Sequence, residues 1–167
     1  MDIYRCQLCL TPSLLTERPG QCSFCGALRQ WVVPADEFET AAVGELSEKS
    51  RDSLGSALEI EVEDCRFFRA ASQVTDSTEG KAFFDALTRI EACHAAIACR
   101  ILGIDEPAEL HEIGDCAPVH GDNLAEARKR QERSLRRYRR LLEESTGERI
   151  EEVLRGLIEV KTAHLQG

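Results

Sequence analysis

Four cysteines near the start of the chain limit what it can fold into more than any other feature. They fall as two tight pairs, Cys6-Gln7-Leu8-Cys9 and Cys22-Ser23-Phe24-Cys25, with twelve residues between them. A C-x2-C pair can grip one edge of a tetrahedron, and two such pairs close it around one metal ion with a donor set that suits iron or zinc. A segment this short cannot bury enough apolar surface to fold unaided, so the metal must supply much of its folding free energy. The other cysteines, Cys65, Cys93, Cys99 and Cys116, have no ligand spacing. Cys65 reads as a small apolar filler.

Residues 1–35 are therefore expected to form a four-cysteine metal module. Residues 36–49, acidic and without apolar periodicity, read as a linker. From residue 50 the pattern becomes helical, with apolar stripes at spacings of three and four over 50–73, 78–102, 122–144 and 147–166. Capping-box patterns mark two of the starts, Asn123 with Glu126 and Ser145 with Glu148. Short connections make the first and second helices one antiparallel hairpin and the third and fourth another. The stretch between the hairpins, 103–121, is punctuated by glycine and proline and is long enough to run along a bundle. One long crossover between two hairpins is the ferritin-like arrangement; a plain up-down bundle is its rival.

The expected fold is thus an all-α, ferritin-like four-helix bundle over residues 50–166, preceded by a small β module of rubredoxin or zinc-ribbon type. No stretch of about 18 consecutive apolar residues occurs, and the first residues lack the apolar run of a secretory signal. We therefore expect a cytoplasmic protein with no membrane partner, in which paired cysteines bind metal rather than form disulfides. With 30 acidic against 21 basic side chains the formal charge is −9, which disfavours nucleic acid as a partner unless a local patch supplies the attraction.

Following each stripe by its spacing gives the core-facing residues. They are Leu54, Leu58, Glu61, Cys65 and Phe68 on the first helix and Phe84, Leu87, Glu91, His94, Ala98 and Ile101 on the second. On the third they are Leu124, Ala127, Gln131, Ser134 and Tyr138, and on the fourth Ile150, Leu154, Leu157, Lys161 and His164. Rotating the third or fourth helix to export the polar members would bury arginines, which is more costly. The set Glu61, Glu91, His94, Gln131, Lys161 and His164 should therefore meet inside the bundle. Within it, Glu91-Ala92-Cys93-His94 is a Glu-x-x-His motif, which points a carboxylate and an imidazole to one helix face.

The chain resembles the rubrerythrin family, in the arrangement that puts the rubredoxin-like module first. In the module the resemblance rests on the knuckle spacing, Tyr4 two residues before Cys6, the run Cys22-Ser23-Phe24-Cys25-Gly26, and Trp31. In the bundle it rests on residues 55–69, GSALEIEVEDCRFFR, and on Glu91 and His94. The resemblance implies peroxide reduction in oxidative-stress defence at a di-iron centre, with electrons passed through the cysteine-bound iron, commonly across a homodimer and from a redox partner protein. It also implies that Glu61, Glu91 and His94 hold one half of that centre and His164 part of the other. Two positions depart from the family pattern, since Gln131 and Lys161 stand where carboxylates are expected. In the module, Leu10 stands where rubredoxin-type sites carry a glycine with positive φ, a strain of roughly 1 kcal/mol that shifts the balance from redox iron towards structural zinc.

Charge counting bears on iron in the bundle. Two ferrous ions bring about +4 against two carboxylates and one ammonium, leaving about +3 in a low-dielectric core. A single divalent ion leaves about +1, and no metal, with Lys161 bridging the glutamates, leaves about −1 before protonation. Two functions from different classes follow: a rubrerythrin-like oxidoreductase, or a non-catalytic ribbon-and-bundle protein with a metal-free Glu/Lys/His core, used for binding or assembly. The third helix also carries eight basic residues between Arg128 and Arg140. They read as a solvated face opposite acidic neighbours on the first helix and at Glu148, Glu151 and Glu152.

Overall fold

A computed structural model describes residues 1–166. It begins with three short antiparallel strands, β1 (Asp2–Cys6), β2 (Pro12–Leu15) and β3 (Val32–Pro34), with β1 in the centre. Four helices follow: α1 (Glu48–Val74), α2 (Thr78–Leu102), α3 (His120–Glu144) and α4 (Glu148–Gln166). Among the described residues no helix is long and apolar enough to cross a membrane.

The helix starts show which local signals act. Ser47 and Ser77 cap α1 and α2, their hydroxyls accepting from the N–H groups of Ser50 and Gly80. Neither expected capping box forms. Helix α3 begins at His120, three residues before Asn123, and Val119 at its N-cap offers no side-chain bond. Asn123 instead clasps the preceding loop, accepting from the Ala117 N–H at 2.9 Å and donating to the Ala117 carbonyl at 2.8 Å. That two-way bond to the preceding loop outcompetes a cap on its own helix. Ser145 ends α3, its N–H donating to Leu141, and the first carbonyl bonded in α4 is that of Gly147, which accepts from Glu151.

The connection between the hairpins runs the length of the bundle, as the ferritin-like reading requires. It is pinned along α1: Arg69 donates to the carbonyls of Leu110 (2.7 Å) and Glu112 (2.8 Å), and the Gly114 N–H donates to Arg66. It delivers His120 beside the α1–α2 turn, where its Nδ1 lies 3.0 Å from the Thr75 hydroxyl. From there α3 runs antiparallel to α1, so that Ser134 meets Asp64 and Tyr138 meets Glu61. Cys65 is the filler expected of it, fully buried with its sulfur against the carbonyls of Thr88 and Leu110. One expected core residue is wrong: Leu124 is 41% exposed, because it lines an open groove with Phe83, Ala163 and Leu165 and is not covered by them.

The strand module does not stand apart from the bundle. Its buried residues Tyr4, Leu8, Ala27, Val32 and the four cysteines share one apolar cluster with Leu54, Ile97, Tyr138, Leu154, Leu157 and Val160. Leu8 is completely buried against Gly156, where a Cβ would come within 2.3 Å of its side chain. Only glycine permits that approach. At the rim, Trp31 Nε1 and Gln30 Nε2 both donate to the Glu159 carboxylate, at 2.7 and 2.5 Å.

Candidate metal centre and the buried ionic cluster

The four cysteines converge as their spacing demands. Cys6 closes β1, Cys9 lies in the turn behind it, and Cys22 and Cys25 form a second, matching turn. In each turn the N–H after the knuckle returns to the first cysteine's carbonyl, Leu10 to Cys6 and Gly26 to Cys22, both at 2.9 Å. The two positions also share a conformation, φ being 65° at Leu10 and 73° at Gly26. Leu10 is the only non-glycine residue with positive φ among the described residues, so the strain read from the sequence is present.

The sulfurs of Cys6 and Cys25 lie 3.6 Å apart and those of Cys9 and Cys22 3.7 Å. Ligands about 2.3 Å from a tetrahedral metal stand roughly 3.8 Å from one another, so the donor set fits a zinc or iron ion with little adjustment. All four residues are buried. Crowded sulfurs do not titrate independently: contact with Cys25 lowers Cys22 to about 7 and contact with Cys22 lowers Cys9, while the same contacts raise Cys6 and Cys25. A metal ion binds the thiolates and displaces the remaining protons. A fifth sulfur was not foreseen from spacing. Cys93 lies beside this group; Cys25 acts to lower its thiol, but Cys9 and burial push it up to about 12.

Below this site, Glu61, Glu91, His94 and Lys161 meet, each completely buried. One ligand atom from each of Glu61, Glu91 and His94 lies within 4.8 Å of the others. Lys161 Nζ stands between the two carboxylates, donating to Glu91 at 2.5 Å and Glu61 at 3.2 Å. Gln131 Nε2 donates to the other Glu91 oxygen at 2.6 Å, and the Tyr138 hydroxyl donates to Glu61. His94 Nδ1 faces Glu91 at 3.0 Å and Glu61 at 3.6 Å. Its Nε2 lies 2.8 Å from the carbonyl oxygen of Cys25, an atom that can only accept, so Nε2 carries a proton. His164 stands one bond further out, its Nδ1 3.2 Å from the Gln131 oxygen.

These contacts set the charges. Burial acts against the His94 cation, but Glu61 and Glu91 hold its pKa up at about 9. Burial would raise Glu91, yet Lys161 and the hydrogen bonds around it hold it well below the usual carboxylate range. Glu61 takes the opposite course, burial and the Glu91 charge pushing it up to about 7 against Lys161. Lys161 is disfavoured by burial but raised above its ordinary value by the two glutamates. Burial lowers His164 to about 4, leaving it neutral. With His94 charged, the cluster comes close to neutrality, whereas the sequence count, which left the histidine neutral, gave about −1.

Tested against a pair of metal ions, this donor set does not fit. Of the carboxylates the family pattern requires, two are replaced by Gln131 and Lys161, and the oxygens of Glu61 and Glu91 are already engaged by protein donors. Three participants were missed in the sequence. Tyr138 lies on the expected inward stripe but outside its polar set, although its hydroxyl donates to Glu61. Asp64, fully buried three residues after Glu61, accepts from Ser134 (3.0 Å), Arg130 (3.0 Å) and Arg133 (3.3 Å). Arg149, 5% exposed, reaches across to the module and donates to the Leu8 carbonyl at 3.0 Å. The i, i+3 spacing of Asp64 from Glu61 was the one available signal.

The basic face of α3 is only partly compensated. Arg128 pairs with Glu132, Arg130 with Asp64 and Glu126, and Arg133 with Glu63 and Asp64. Glu151 and Glu152 pair inside α4, with Arg155 and Arg149, and not with α3 as expected. Among the described residues Lys129, Arg136, Arg137, Arg139 and Arg140 have no carboxylate within ion-pair distance. Comparison of the chain with profiles of known protein families, with curated proteins and with solved structures finds no match.

Proposed function

We propose that this is a rubrerythrin-like protein that has kept the four-cysteine metal site and given up the second one: a metal-stabilised binding scaffold rather than a peroxidase. The observation that carries this reading is the Lys161 ammonium between Glu61 and Glu91, completely buried. It supplies permanently the positive charge that a metal would bring, and expelling it would leave a buried cation unpaired. One iron or zinc ion in the cysteine site then acts structurally. The surface such a scaffold offers is the uncompensated stripe of α3, with Lys129, Arg136 and Arg140 on one helix face. It suits an acidic protein partner, a second copy of this net-acidic chain included.

Metal counting on anaerobically prepared protein tests the proposal. One metal ion per chain is expected, with no peroxide-dependent oxidation. Lys161→Glu should take up additional iron that the native chain does not. Two or three irons in the native chain, oxidised by peroxide and re-reduced by added reductant, would overturn it.

A second reading keeps the family's peroxide reduction, and one observation favours it. The His94–Cys25 hydrogen bond joins the cysteine site directly to the bundle cluster, the shortest connection an electron relay could use. Visible absorption separates the two readings, because ferric iron in four thiolates is strongly coloured and zinc is not. A colourless protein with one zinc per chain ends the relay.

A further inference from the structure

The carbonyl groups of both cysteine knuckles are held by N–H donors from basic side chains, and most of these come from the bundle. His94 Nε2 on α2 donates to Cys25 (2.8 Å), Arg100 Nη1 on α2 to Cys9 (2.9 Å), and Arg149 Nη2 on α4 to Leu8 (3.0 Å). The module itself adds Arg5 Nη2, which donates to Leu10 at 3.3 Å. Two of the carbonyls belong to the ligand residues Cys9 and Cys25, and a third belongs to the peptide that joins Leu8 to Cys9. These three bonds each fix a peptide plane that adjoins one of the four clustered cysteines.

The charges match as well as the geometry. A divalent ion with four thiolates carries about −2, a dianion that is costly to enclose without nearby cations. Three helical residues, at 94, 100 and 149, converge on the backbone that carries the sulfurs. We infer that the bundle forms the outer shell of the thiolate metal site, with His94, Arg100 and Arg149 as positioning residues that orient the knuckles, the two arginines also offsetting the site's charge. The cluster of Glu61, Glu91, Lys161, Gln131 and Tyr138 then has a present use: it is the socket that keeps His94 turned towards Cys25. Partners of this kind typically change metal retention by about ten- to a hundredfold when removed. The inference rests on the reading that the cysteine site binds one metal.

The test uses the full chain loaded with cobalt(II), whose sulfur-to-metal absorption reports on the thiolates directly. Arg100→Met and Arg149→Met should release cobalt to a chelator about tenfold faster than the unaltered protein and shift the sulfur-to-cobalt band. His94→Gln, which keeps an N–H donor on a differently shaped side chain, and Arg100→Lys, which keeps charge but not the planar fork, should fall between. Arg69→Met, which removes an arginine bonded to carbonyls outside the module and remote from Cys6, Cys9, Cys22 and Cys25, should leave both readouts unchanged. Arg100 is exposed, so its variant folds and decides the matter even where the buried Arg149→Met does not. Wild-type release and band position in Arg100→Met, or equal acceleration in Arg69→Met, overturns the inference. Failure of the unaltered protein to bind cobalt overturns instead the metal reading beneath it.

Discussion

Two buried polar clusters sit one hydrogen bond apart in this protein, and their needs are opposite. The cysteine cluster has four soft donors crowded to 3.6–3.7 Å and no cation among its own residues. The bundle cluster has its cations built in, Lys161 and His94, and its carboxylate oxygens are spoken for. One site offers four donors that a single ion would complete; the other already holds an ammonium between its two carboxylates. Resemblance to a metal site at the level of ligand positions is therefore a poor guide to metal binding unless the charge of every neighbour is counted with it.

The comparison can be broken most decisively at the cysteines. Removing the metal with a chelator, or substituting Cys25→Ser, should cost on the order of 10 kcal/mol of the module's folding free energy. It would be seen as rapid proteolysis within residues 1–35 while most helical circular dichroism remains. A module that stays protected would mean that packing alone holds it. Next in size is Lys161→Met, which strands two buried carboxylates and should destabilise by about 3 to 5 kcal/mol in urea unfolding, with part recovered in the double variant Lys161→Met, Glu61→Gln. A neutral result would show that the lysine is not the cluster's counter-charge. Tyr138→Phe removes one donor to Glu61 and should cost about 1.5 to 3 kcal/mol by the same measurement. At the interface, Gly156→Val drives a side chain into Leu8 and should cost about 1 to 3 kcal/mol, reduced when Leu8→Ala makes room. The smallest change is a gain: Leu10→Gly relieves a positive φ and should stabilise the metal-loaded protein by up to about 1 kcal/mol.

The two regions also differ in how far the sequence discloses them. The cysteine site is legible because its ligands come in local pairs, so spacing alone encodes the geometry. The inward faces of the helices are legible because burial repeats with the helical period, and that period brought Glu61, Glu91, His94, Gln131 and Lys161 together correctly. What stayed hidden was contact between distant residues with no shared pattern. Nothing near Arg149 announces that it will bond the Leu8 carbonyl, and a mid-helix glycine at 156 looks like a weakness until Leu8 is seen against it. Asn123 misled because its side chain could satisfy either its own helix or the loop before it, and only the tertiary structure decides which. Asp64 and Tyr138 were passed over for a related reason, since their polar groups matter only through partners on a neighbouring helix.

The seating of Leu8 against Gly156 and Arg149 has a consequence for synthesis. The first knuckle is made roughly 140 residues before the surface that shelters it. At about 5 to 20 residues per second, that delay leaves Cys6 and Cys9 uncovered for about 7 to 28 seconds on the ribosome. A metal ion captured in that interval would hold the knuckle in the shape over which α4 later closes.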